Sequence, residues 1–141
     1  MILGEVWDEL ALRLGAIESV RPYARPLADV TAPAAGVAAV VGYPEEIEFD
    51  RTYGRGTDEM VMPVMLLVPD PETPRCAEKA SRYTAGAGAD SVKAALETGP
   101  AAGVFEVLHV GRVTFERVVT AAGTPYLGIT FNCTITGAGT A

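Results

Sequence analysis

Six carboxylates crowd one short part of this chain: Glu45, Glu46, Glu48, Asp50, Asp58 and Glu59. Paired carboxylates can hold a divalent cation or perform acid–base chemistry. Their spacing fits no calcium-loop pattern, so a solvated or partner-facing acidic loop is the stronger reading. Among them runs Tyr53-Gly54-Arg55-Gly56. It lacks the Lys-Ser/Thr end that a phosphate-binding loop needs. His109, the only histidine, stands between Leu108 and Val110 in a strand-like run. Packing or surface duty there outweighs base catalysis. Cys76 and Cys133 would need a histidine partner to act as nucleophiles. Nothing in their surroundings suggests one, and Cys133 falls on the apolar phase of its strand. Inert thiols are the expectation. No catalytic, cofactor-binding or metal-binding residue is assigned, and neither enzyme activity nor a cofactor is expected.

Composition narrows the classes further. A chain of 141 residues has the size of one domain and can bury a core without disulfide or metal. Residues 1–136 read as a single α+β domain and 137–141 as a flexible tail. Hydrophobic residues make up 49% and mean hydropathy is +0.23. Partners covering apolar surface would explain that, and so would the abundance of alanine and valine. Net charge is −7, which repels nucleic acid and anionic membrane. The two cysteines have neither zinc-site spacing nor a disulfide pattern. The first residues carry Glu5, Asp8 and Glu9, unlike the cationic start of a secretory signal. No apolar run approaches the ~20 residues of a membrane span. A soluble cytoplasmic protein is expected.

Periodicity places these residues on elements. Ile2, Val6, Leu10 and Leu14 recur at helical spacing, with Leu3 and Trp7 beside them and Gly15 as a stop. Pro22, Pro26 and Pro33 keep the stretch from Val20 to Ala35 extended, with one short edge strand. Val37–Val41 reads as a buried strand, and Ile47–Phe49 as a short continuation. Glu59–Val68 is apolar in both phases, which predicts cover on both faces, and Pro63 predicts an edge or bulge. Thr73 caps one predicted helix, with Cys76, Ala80 and Tyr83 inward. Asp90 caps a second through Ser91–Glu97. Val104–Val119 and the strand Leu127–Thr136 form a hairpin, with a bulge near Gly111. The expected fold is α+β: a mostly antiparallel sheet with helices packed on one face and a C-terminal β-hairpin.

The long decorated loop between strands is better suited to contacting neighbours than to catalysis. Asp50, Arg51, Tyr53, Arg55 and Asp58 are therefore the expected interface with a neighbouring chain. Tyr53 is the preferred anchor, because aromatics and arginines dominate interface energetics.

At these residues the chain resembles the tail-terminator proteins of long-tailed bacteriophages, especially those infecting actinobacteria. The likeness lies in the order of features over residues 1–136. A short amphipathic helix is followed by a proline-rich stretch and Ala39-Val40-Val41-Gly42-Tyr43-Pro44. Glu48-Phe49-Asp50, Tyr53-Gly54-Arg55-Gly56 and the strand Val61–Val68 come next. Gly88-Ala89-Asp90-Ser91-Val92-Lys93-Ala94-Ala95-Leu96 and a hydrophobic hairpin complete it. The resemblance implies a homohexameric ring that caps the tail tube, stops its growth and joins it to the neck. Its implied partners are further copies of itself, the major tail tube protein and a head–tail connector or stopper protein. Genomic DNA would pass through without specific binding, and no membrane is involved. The implied location is the virion neck, and the host cytoplasm during assembly. Alternatives are another head–tail ring protein, such as a stopper or tube subunit, or a small cytosolic enzyme or ligand-binding module.

Overall fold

The computed structural model describes residues 1–26, 32, 36–49, 57–98, 104–119 and 123–138. The elements are α1 (Leu3–Gly15), β1 (Val20–Tyr23), β2 (Val37–Val41), β3 (Glu46–Glu48), β4 (Thr57–Pro69), α2 (Pro74–Tyr83), α3 (Val92–Glu97), β5 (Val107–Val119) and β6 (Pro125–Ala138). They build one six-stranded sheet in the order β1-β2-β4-β6-β5, with β3 also on β4. Only β1 and β2 run parallel; every other pair is antiparallel. The fold is α+β, with β5 and β6 as the C-terminal hairpin.

The central pair is β4 with β6, in register from Thr57–Ala138 to Pro69–Tyr126. Period-2 alternation then sorts their side chains. Met60, Met62, Val64, Leu66, Ile129, Phe131, Cys133 and Ile135 are at most 2% exposed on one face. Val6, Leu10 and Leu14 of α1, Cys76 and Tyr83 of α2, and Val92 and Leu96 of α3 pack on that same face. The opposite phase of β4 differs from expectation. Val61, Pro63 and Met65 are only half-buried, and no helix residue joins the small cluster of Ala38, Leu67 and Tyr126 on that side. Apolar character in both phases thus did not bring helical cover to both faces.

Pro63 sits where β2 gives way to β3 along the edge of β4. Gly42 N–H donates to Pro63 O at 2.9 Å, and Glu45 N–H donates to Val61 O at 2.8 Å. The missing proline donor falls in the gap between two short strands, where no ladder bond is forfeited. The bulge near Gly111 is present as a register shift between Val110 and Arg112. Gly123, with φ +83°, turns the hairpin in the left-handed region that favours glycine. Gly128 is required for space: a Cβ there would come within 2.6 Å of Val118 Cγ2.

Two local expectations are corrected. Ser91, not Asp90, caps α3: its side chain accepts from Ala94 N–H at 3.1 Å and donates to Ala85 O at 2.5 Å. The flexible tail was expected from residue 137, yet Gly137 and Ala138 pair with Asp58 and Thr57. The longer β4 supplies their partners; residues 139–141 lie outside the described residues.

A buried ion pair pins the helical layer. Arg13 Nε donates to Glu9 Oε1 at 3.0 Å, and Arg13 Nη1 donates to Leu96 O at 2.6 Å. The guanidinium also lies 4.7 Å from the centre of the Phe105 ring. One side chain therefore ties α1 to the end of α3 and to the approach to β5. Removing one member of a buried pair leaves its partner's charge uncompensated, typically at about 3–5 kcal/mol. Arg13→Ala should therefore destabilise the fold by roughly 3 kcal/mol in urea unfolding. The Glu9→Ala/Arg13→Ala double variant should lose less than the sum of the single variants. Strict additivity would show that the two groups do not interact.

Candidate interaction surface

The residues that could do chemistry are held apart or neutralised. Cys133 is fully buried, and burial, with a smaller contribution from the Glu97 charge, pushes its thiol up to about 12. The Cys76 thiol is also raised, chiefly by burial, against the opposing pull of Lys79. Both are protonated at neutral pH and therefore poor nucleophiles. The His109 side chain is 67% exposed, with Nδ1 3.6 Å from Glu97 Oε2. Among the described residues, no group of three or more His, Cys, Asp or Glu side chains could hold a metal ion. Nor is any helix among them long and apolar enough to cross a membrane.

Glu97 is a carboxylate with several partners. It accepts from Lys93 Nζ at 2.6 Å and from Val110 N–H at 2.9 Å. Burial by itself would raise its pKa. The Lys93 and Val110 hydrogen bonds and the electrostatic influence of Lys93 and His109 outweigh that, holding it below the ordinary carboxylate range. Its role is structural: it fastens α3 to β5.

The acidic cluster divides between surface and interior. Glu45, Glu46 and Glu48 are exposed at and before β3, and Glu48 stands opposite Glu59 across the β3–β4 pair. Asp58 is 2% exposed, and its carboxylate lies 3.5 Å from the Met1 ammonium. Of the expected interface residues, Asp58 is thus withdrawn from the surface of the single chain. The even phase of β4 carries it inward beside Met60. Asp50, Arg51, Tyr53 and Arg55 lie outside the described residues.

A different aromatic corner is present nearby. Trp7 Nε1 donates to Gly42 O at 3.0 Å, and the Trp7 and Tyr43 rings meet edge-on at 5.8 Å. Arg25 lies 4.9 Å from the centre of the Trp7 ring and pairs with Asp8 at 2.9 Å. Tyr43 is 68% exposed and Phe49 66%. An arginine and aromatics held in fixed geometry have the composition of an interface anchor. Sequence reasoning placed Trp7 on a helix stripe and Tyr43 in a turn, but it did not join them. The only signal was the lone tryptophan in a helix whose apolar stripe was already filled.

The open sheet face carries Val40, Val61, Met65, Thr130, Asn132 and Thr134 in half-buried positions. A hollow of about 370 Å³ on it is lined by Glu45, Val61, Gly111, Arg112, Asn132 and Thr134. Its mixed lining contains no nucleophile–base pair. A scan against family models finds none that matches this chain, and a search of curated proteins finds no match.

Two outcomes follow from these environments. A thiol reagent should label neither Cys76 nor Cys133 quickly in the folded protein, and both once guanidinium unfolds it. Rapid labelling under native conditions would contradict the buried, protonated state. The second outcome concerns acid stability. Glu97 has a folded pKa below its unfolded value, so its stabilisation is in full force above the unfolded value. It is lost as pH falls through the lowered folded value. Glu97→Gln should therefore narrow the stability difference between neutral and acidic pH in denaturant titrations. An unchanged difference would remove Glu97 as a contributor.

Proposed function

We propose that this chain is a structural subunit of a bacteriophage tail, forming a homomeric ring that closes the tail tube in the manner of a tail terminator. The observation that carries this reading is the sheet face left without helices. It exposes half-buried apolar and threonine positions across β2, β4 and β6. A face of that kind is suited to cover by a neighbour, and repeated rotation of one heterologous contact closes a ring. The order of elements supports the same reading, since it follows the succession of features by which the sequence resembles that family. Net charge −7 suits a passage through which DNA moves without adhering. Neighbouring copies, the tube protein and a neck connector are the proposed partners.

Within that ring, Arg51, Tyr53 and Arg55 and the Trp7–Tyr43–Arg25 corner are the proposed contact residues. The runner-up is a tube subunit, favoured by the same uncovered face, which would serve an open polymer equally well. Mass photometry at micromolar concentration separates the two. A terminator should give a hexamer, or a monomer that becomes a ring on tube ends. Open-ended filaments of the chain alone would replace the terminator reading with the tube subunit. In an assembling particle, alanine at Arg51, Tyr53, Arg55 and Tyr43 together should leave the melting temperature within a few degrees. It should yield overlong tails or tails that fail to join heads. Normal, head-joined tails would show that these residues are solvated surface.

A further inference from the structure

Among the described residues, β5 ends the sheet and no strand lies along its outer edge. An exposed edge of this length is a template for another strand unless something blocks it. At Val110 it is blocked: that N–H points away from β6 and is taken by Glu97 at 2.9 Å. Beyond Gly111, residues 112–117 are exposed except for the half-buried Val113.

The direction of their backbone groups follows from the ladder. Pro63 O faces Gly42, so Pro63 and its opposite number Asn132 are not a hydrogen-bonded pair. Asn132 therefore turns its N–H and C=O towards β5, where it faces Arg112. Alternation gives the rest. Arg112, Thr114 and Glu116 bond to β6, whereas Val113, Phe115 and Arg117 turn their backbone groups outward.

We propose that two copies of this chain join through these edges, antiparallel about a two-fold axis at Thr114, so that one sheet continues into the other. This register sets Arg112 of each copy opposite Glu116 of the other, in non-hydrogen-bonded positions where side chains lie closest. On the other face it sets Val113 beside Phe115, which is 56% exposed in the single chain. Neighbouring registers are worse. An axis at Phe115 pairs Thr114 with Glu116 and leaves both charges unmatched. An axis at Glu116 opposes two glutamates, and one at Arg117 opposes two arginines. An axis at Val113 brings Glu116 against Val110, whose outward N–H Glu97 already holds. Charge complementarity thus selects a second copy and a single register. The pairing is isologous and does not depend on the tail reading.

Light scattering at micromolar concentration should give a dimer, or an even-numbered assembly built of such dimers where the ring contact forms as well. Arg112→Glu or Glu116→Arg alone sets like charges opposite each other twice, and should weaken dimerisation by about tenfold or more. The double variant R112E/E116R should restore it, which general surface damage would not do. Circular dichroism on each variant establishes that it is folded. Thr114 meets its own copy on the axis, so Thr114→Cys should form a disulfide-linked dimer on mild oxidation, with Cys76 and Cys133 too buried to compete. A monomer overturns the proposal, as does a dimer indifferent to charge reversal with no Thr114→Cys cross-link. A hexamer indifferent to both changes overturns this pairing while leaving the ring reading standing.

Discussion

The antiparallel register of β4 on β6 is the constraint from which most of this molecule follows. It runs unbroken from Thr57–Ala138 to Pro69–Tyr126. A slip of one residue would move Met60, Met62, Val64 and Leu66 from the core to the open face and bring Val61, Pro63 and Met65 inward. Both sets are largely apolar, so hydrophobicity along β4 alone specifies the register weakly. The strict alternation of β6 resolves it. Thr130, Asn132, Thr134 and Thr136 can satisfy their polar groups on the open face, whereas burial under the helices would strand them. Pro63 adds a second lock, because its missing donor fits only the gap between β2 and β3.

The helical layer depends on two polar groups that sequence patterns did not mark. Arg13 reaches Glu9, Leu96 O and the Phe105 ring from a nearly buried position. Every strong donor there has a partner, which makes the burial of the charge tolerable. Glu97 does comparable work at the other end of the layer. It holds Lys93 along α3 and the outward N–H of Val110 on β5. In doing so it also occupies one outward donor of the edge strand, and a bonded N–H cannot recruit another chain. No buried side-chain nitrogen or oxygen among the described residues lacks a hydrogen-bond partner.

Three features stand open on the surface of the described residues besides its charged side chains. They are the helix-free sheet face, the Trp7–Tyr43–Arg25 corner and the second half of β5, each of a composition suited to contact with polypeptide. The buried thiols and the exposed His109 provide no nucleophile–base pair. The proposed assembly role rests on these surfaces.

The strand and helix positions were legible in the sequence because they rest on local periodicity and punctuation. The amphipathic spacing of α1, the alternation of β6, the cap at Thr73 and the irregularity at Gly111 all reappear at or near their expected positions. The inward set Leu10, Leu14, Cys76, Tyr83 and Cys133 was likewise readable. Only tertiary structure decided which neighbours those elements acquire. It chose Ser91 over Asp90 as the cap, because Ser91 also reaches Ala85 O. It turned Asp58 inward, although its charge alone suggested surface. It left one apolar face of β4 without helical cover, since three helices packed on a single side cannot roof both. Trp7, Arg25 and Tyr43 met for the same reason: their contact spans α1, the segment after β1 and the end of β2. Contacts between residues distant in sequence leave no period of their own in a single sequence, so they became visible only once the sheet had folded.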